Sequence, residues 1–228
     1  MVTSDRLTLG QQAAAAQIEA ALLARARLEP GMPLAGYVRP LQHLIDAILS
    51  ASSTAQRMAG LASLTITDPS AGASADNYLQ RAGRAAYEAS SQNALALDAV
   101  TRALRKTGRL PSAEGLPRLS RYKTTAQALA HLDNECGKAL RNPPPLHWLE
   151  DPTGNLAKIL DQLARAGDKL RAGIDDAYTR LPGRHDPTAA TDRITQAGGY
   201  LLKASGRAGQ AAQIVTWNVP AQRKAAAW

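Results

Sequence analysis

Alanine makes up about a fifth of this chain, and phenylalanine does not occur in it. Alanine has the highest helix propensity of any residue and little apolar surface to bury. Sheets favour β-branched and aromatic residues, and aromatics are only 4% of this chain. The imbalance predicts an all-α fold of long helices packed close together around a small aliphatic core. Hydrophobic residues make up 45% of the 228, enough for such a core, and the charged 20% is too mixed in sign for a disordered chain.

Turn signals divide the chain into six helical stretches. The first runs from about Leu9 to Leu28 and ends at Pro30, Gly31 and Pro33. Pro40 suits the first turn of the second, which reaches about Thr67. Asp68, Pro69 and the Gly/Ser segment Ser70 to Ser74 read as a loop before the third stretch, about Ala75 to Thr107. Gly108, Pro111, Gly115 and Pro117 mark the next loop, and the fourth stretch covers about Leu119 to Arg141. Pro143 to Pro145 stop it, because consecutive prolines favour an extended backbone. Asp151-Pro152-Thr153 and Asp186-Pro187-Thr188 each put Asp at an N-cap and Pro at the first helical position, opening the fifth and sixth.

Three stretches carry a seam spaced alternately four and three, the period of left-handed bundle packing. In the fifth it is Leu156, Leu160, Leu163, Gly167, Leu170, Ile174, Ala177 and Leu181. The sixth reads Ile194, Gly198, Leu201, Ser205, Ala208, Ala212 and Val215, and the third runs from Leu79 through Gly83, Ser90 and Leu97 to Leu104. Small seam residues, and Gly198, Gly199, Gly206 and Gly209 in particular, predict a backbone packed against the sixth helix. The architecture expected is a mostly antiparallel six-helix bundle with Ala/Gly-rich close-packed seams. Residues 1–142 would form a four-helix part, 151–216 a hairpin packed on it, and 217–228 a basic tail; one continuous domain over 1–216 is the alternative. A hairpin alone buries too little surface to be stable, so it must pack back or dimerise.

The formal net charge is +8 and the sequence pI about 9.9, which permits contact with polyanions. Arginine outnumbers lysine by roughly three to one. Together with the Ala and Gly content this fits a GC-rich bacterial genome, so part of the basicity reflects composition. The one cysteine, Cys136, excludes an intrachain disulfide and fits a reducing compartment. The start, Met1 to Gly10, lacks a basic segment followed by an apolar run, and no stretch approaches 18 uninterrupted apolar residues. The expectation is a cytoplasmic protein with no membrane contact.

No motif specifies a reaction or a ligand. The densest positive stretch holds Arg102, Arg105, Lys106, Arg109, Arg118, Arg121 and Lys123 against one acid, Glu114. Cations ending the third helix complement its dipole, but those opening the fourth oppose theirs; a polyanion contact would account for both sides of the loop, and an ordinary solvated helix–turn–helix corner is the alternative. Ala128 to Leu132 has the look of the first helix of a DNA-reading helix-turn-helix, but Asp133-Asn134-Glu135 would then set two acids against phosphates. His131 and Glu135 stand four apart beside Cys136, yet no Glu-x-x-His, His-Glu-x-x-His or paired Cys-x-x-Cys accompanies them. No metal and no cofactor are expected. Asp175 and Asp176 point about 100° apart on a helix and make no single site. Trp148, behind the proline run, and Trp228, at the end of the basic tail, are candidate partner contacts. Trp-x-Gly turns and a Tyr-x-x-x-Asp/Glu tail, which mark Ala-rich hairpins exported from GC-rich bacteria, do not occur. The leading expectation is a non-enzymatic helical interaction protein acting through protein contacts or self-association. The alternative is a sequence-tolerant nucleic-acid-binding accessory protein of a mobile element or phage, using Arg102 to Lys123.

Overall fold

Helices occupy nearly every described residue of the computed structural model, which describes residues 6–28, 31–108, 120–182 and 185–225. They are α1 (Arg6–Arg25), α2 (Val38–Thr65), α3 (Pro69–Lys106), α4 (Ser120–Arg141), α5 (Glu150–Thr179) and α6 (Thr188–Ala225). Single 3₁₀ turns at Leu34–Tyr37 and Leu146–Trp148 lead into α2 and α5. No strand occurs among the described residues.

Three boundaries differ from the sequence reading, each for a local reason. The Gly/Ser segment after Pro69 is not a loop but the first turns of α3. The Asp68 carboxylate accepts from the Ser70 amide at 2.9 Å, the Ser70 hydroxyl at 2.9 Å and the Ala71 amide at 3.5 Å, with Pro69 at the first helical position. A satisfied N-cap outweighs the poor propensity of Ser and Gly. These bonds hold the Asp68 carboxyl below its ordinary range, and Asp186 is lowered in the same way by Thr188 ahead of α6. Their caps are therefore intact at neutral pH and are lost as acid carries them through those lowered values. Helix α5 opens at Glu150 with Leu149 as N-cap, so Asp151 lies inside its first turn and does not cap it. Helix α6 does not stop near 217: it continues through Pro220 to Ala225, with Val215 and Val219 buried one turn apart.

Each helix packs on two neighbours in a closed ring, in the order α6, α3, α2, α4, α1, α5 and back to α6, with α2 also meeting α5 across the middle. This makes two layers of three, α3–α2–α4 over α6–α5–α1. Helix α2 stands between α3 and α4. One cluster of buried side chains draws on all six helices, Leu23, Leu44, Leu79, Leu129, Leu163 and Leu201 among them.

All eight seam residues of the fifth stretch are buried, seven within α5 and Leu181 just past its end. In α6 every second seam position is displaced by one residue. Ile194, Leu201, Ala208 and Val215 are buried as the heptad requires, but the buried residues between them are Ala197, Ala204 and Ala211. Gly198, Ser205 and Ala212 are only half-buried. The face of α6 must serve both α3 and α5, so it is wider than a seam drawn for one partner. The glycines of α6 do not mark a close backbone approach either: a Cβ at Gly199, Gly206 or Gly209 meets nothing within 4 Å. Close approach occurs elsewhere. At the α2–α3 crossing the Ser52 hydroxyl donates to the Gly83 carbonyl at 2.8 Å, and a Cβ on Gly83 would stand 3.0 Å from the Ser52 carbonyl oxygen. On α5, Gly173 leaves room for the buried Tyr37 ring, whose hydroxyl oxygen would lie 2.5 Å from an added Cβ.

These surroundings give glycine-to-alanine substitutions opposite signs. Gly173→Ala should destabilise the fold by about 1–3 kcal/mol, because a fully buried ring cannot step aside. Gly199→Ala and Gly206→Ala should each stabilise it by about 0.5–1 kcal/mol, since α6 gains helix propensity without a clash. Urea unfolding of the three variants beside the parent chain measures both effects.

Candidate functional site

The ring separates the two halves of the basic stretch. Arg102, Arg105 and Lys106 are exposed on the last turns of α3, with Arg102 paired to Asp98 at 2.9 Å. Arg121 and Lys123 are exposed on the first turn of α4, across α2 from α3, and Arg121 lies 3.9 Å from Glu19 of α1. Arg109 and Arg118 lie outside the described residues.

Each half instead meets a segment remote in sequence. Arg102 and Lys106 line a groove of about 310 Å³ with Tyr178, His185 and Asp186, where α5 turns into α6. Arg121, Ser120 and Thr124 line a second, of about 580 Å³, with Glu19, Ala26 and Arg27. A third link closes the set: Arg180, beyond α5, pairs with Asp176 and donates to the Met32 carbonyl oxygen at 2.9 Å. Lys169 of α5 donates to the Ala26 carbonyl oxygen at 3.0 Å. The described residues of three segments, 25–39, 102–108 with 120–123, and 180–187, are thus tied to one another at one end of the bundle. They hold nine Lys and Arg side chains and one acid, Asp186, a local net charge of +8.

Sequence reading found one of these three segments. Arg25, Arg27, Arg39 and Arg180, all exposed, escaped it because a linear window registers only local density. Helix dipoles favour Arg25, Arg105 and Lys106, in the last turns of α1 and α3, but not Arg39 and Arg121, which sit on first helical turns where a cation is disfavoured.

The other candidate residues fall into place individually. Trp148 is half-buried in the turn between α4 and α5, its ring 6.0 Å from that of His147, while Leu146 and Leu149 on either side are buried. Helix α6 packs on this turn. Trp228 lies outside the described residues. Trp217 on α6, which sequence reading passed over, is 73% exposed. Asp133, Asn134 and Glu135 lie within the uninterrupted α4, so no helix-turn-helix turn forms there. Glu135 pairs with Lys138 at 2.6 Å, and no group of three metal-capable side chains occurs among the described residues. Asp133 faces α2, with Arg57 Nε 3.1 Å from its carboxylate.

Inside the bundle, Tyr122 donates to the Ala166 carbonyl oxygen and Tyr178 to that of Ala99, both at 3.5 Å. Burial raises the pKa of both hydroxyls and of Tyr37. Burial likewise pushes the Cys136 thiol up to about 12, with a further contribution from Asp133.

Comparison of the chain with known protein families, with curated proteins and with solved structures finds no match.

Cys136 should therefore stay a protonated, unreactive thiol in the native protein. A thiol-specific chromogenic reagent at pH 8 should report essentially no free thiol until denaturant is added, and one per chain afterwards. Rapid labelling without denaturant would show that α4 is not packed as described.

Proposed function

We propose that this protein is a mostly antiparallel helical bundle that acts by contact rather than by chemistry, and that its basic end binds nucleic acid without reading sequence. Individual contacts support the helix directions. Gln92 of α3 accepts from Arg193 of α6 while the Arg81 carbonyl accepts from Arg207, so residue numbers run oppositely along the pair. Gly167 beside Ile194 and Ala157 beside Ser205 give the same sense to α5 and α6, whereas Arg57 by Gly137 and Gly60 by Leu140 make α2 and α4 parallel, as are α1 and α5, whose C-terminal ends lie together. The close approach at Gly83 supports small-residue seams at the α2–α3 crossing.

The observation that carries the reading is the convergence of three remote segments into one cationic end. Phosphate contacts from Lys and Arg supply the sequence-independent part of nucleic-acid affinity and make it fall steeply with salt. Local acids hold Arg102, Arg121 and Arg180 in place, while Arg25, Arg27, Arg39, Arg105, Lys106 and Lys123 stand exposed beside them.

A second reading, contact with a protein or with another copy of the chain, is favoured by Trp217, a large exposed apolar side chain on a helix that packs on two others. Under that reading Trp217→Ala would abolish a concentration-dependent increase in mass in sedimentation.

Fluorescence anisotropy on a labelled duplex, repeated from low to moderate salt, tests the first reading. Contact with about six phosphates gives a log–log slope near −5. The quadruple change Arg27→Ala, Arg39→Ala, Arg105→Ala and Lys106→Ala should make the slope shallower by about 3–4. Arg84→Ala with Lys158→Ala, which removes two exposed cations away from that end, should leave the slope nearly unchanged. A slope near zero, or equal loss from both sets, refutes the reading.

A further inference from the structure

Granting that the basic end meets nucleic acid, the next question is which form it takes. Single strands are held by a cationic track together with aromatic rings on which successive bases stack, each stacked base adding substantially to affinity. Duplexes keep their bases inside and present only phosphates to a surface that does not enter a groove. The aromatic inventory of this end therefore distinguishes the two.

Among the described residues of 25–39, 102–108, 120–123 and 180–187 there are two tyrosines, Tyr37 and Tyr122, and no tryptophan. Tyr37 is 1% exposed and Tyr122 is 3% exposed. Tyr178, which borders the groove of Arg102 and Lys106, is 4% exposed. The hydroxyls of Tyr122 and Tyr178 are directed to backbone carbonyls within the bundle. His185, half-buried, has its Nε2 3.0 Å from the Pro182 carbonyl oxygen. The exposed aromatic rings lie far along the helices. Trp217 is roughly 44 Å down α6 from Thr188, and Tyr87 roughly 28 Å back along α3 from Lys106. The cations and the exposed rings that would hold an unpaired base are thus kept apart: the tyrosines at this end serve the core, the His185 ring is tied to the Pro182 carbonyl, and the rest of the surface offers guanidinium and ammonium groups.

We propose that the basic end is a duplex-backbone site. It engages double-stranded nucleic acid through phosphates, in preference to single strands, and does not discriminate among base sequences. Six helix ends in two layers of three cover roughly 20 by 30 Å, taking about 10 Å per helix. At 3.4 Å per base pair, the longer dimension corresponds to a footprint of about nine base pairs.

Anisotropy titrations of the full chain with a duplex of roughly 20 base pairs, about twice that footprint, and with each of its component strands at one salt concentration test the inference. A second duplex of unrelated sequence completes the set. The expected result is duplex binding at least about tenfold tighter than either strand, with the two duplexes within about twofold of each other, as the higher charge density of the duplex implies. Single strands bound as tightly as the duplex, or more tightly, would overturn the duplex inference while leaving nucleic-acid binding standing. A large difference between the two duplexes would overturn its sequence neutrality. If neither form binds at low salt, the functional reading falls and the inference with it. The variant Tyr87→Ala with Trp217→Ala supplies an independent readout. It should leave the duplex-to-strand ratio unchanged, and loss of strand binding in that variant would place bases on rings away from the basic end and overturn the assignment.

Discussion

At the crossing of α2 and α3 the Ser52 hydroxyl reaches the Gly83 carbonyl, and the two backbones come so close that even a methyl group on Gly83 would crowd the Ser52 carbonyl. A chain without phenylalanine has few bulky side chains with which to fill gaps between helices, and at this crossing the gap is closed by approach. Alanine lines much of α3 and α6, aliphatic side chains fill the centre, and the few large rings, such as Tyr37 against Gly173, fit where the opposing helix has given up its Cβ. Stability is then spread over many small contacts, each sensitive to one methylene more or less.

That packing also fixes where charge can gather. A closed ring in which α2 separates α3 from α4 divides a basic stretch that is continuous in sequence and brings each half to a segment far away in the chain. Crowding cations at one end costs self-repulsion, which ionic screening and the adjacent acids Asp98, Glu19 and Asp176 partly relieve. The rest of the molecule is close to neutral. Such a charge distribution concentrates the molecule's positive potential at that end.

What could be read beforehand followed the reach of each signal. The helical class and the α5 seam were legible because periodicity and propensity act within a few turns. The Asp-Pro signature was legible at Asp186. At Asp68 it was masked by the Gly/Ser composition after it, though the physics is the same capped helix start. The α6 seam was drawn one residue out at alternate positions because the helix serves two partners, which a single-helix pattern does not encode. The basic end was legible only in part: Arg102 to Lys123 is a local feature, but the company of Arg27, Arg39 and Arg180 is created by topology. Trp217 carried no signal of its own because the composition from 217 onward reads as a basic tail, whereas α6 continues through it to Ala225.

The unoccupied space beside the α6 glycines bears on what keeps that helix in shape. Gly199, Gly206 and Gly209 lower the intrinsic helicity of α6 by about 1 kcal/mol each without contributing a close contact in return. This is also the helix that completes the ring between α3 and α5. Helix α6 is therefore held in shape by its broad interfaces with α3 and α5 rather than by its own propensity: its order is borrowed from the neighbours it joins.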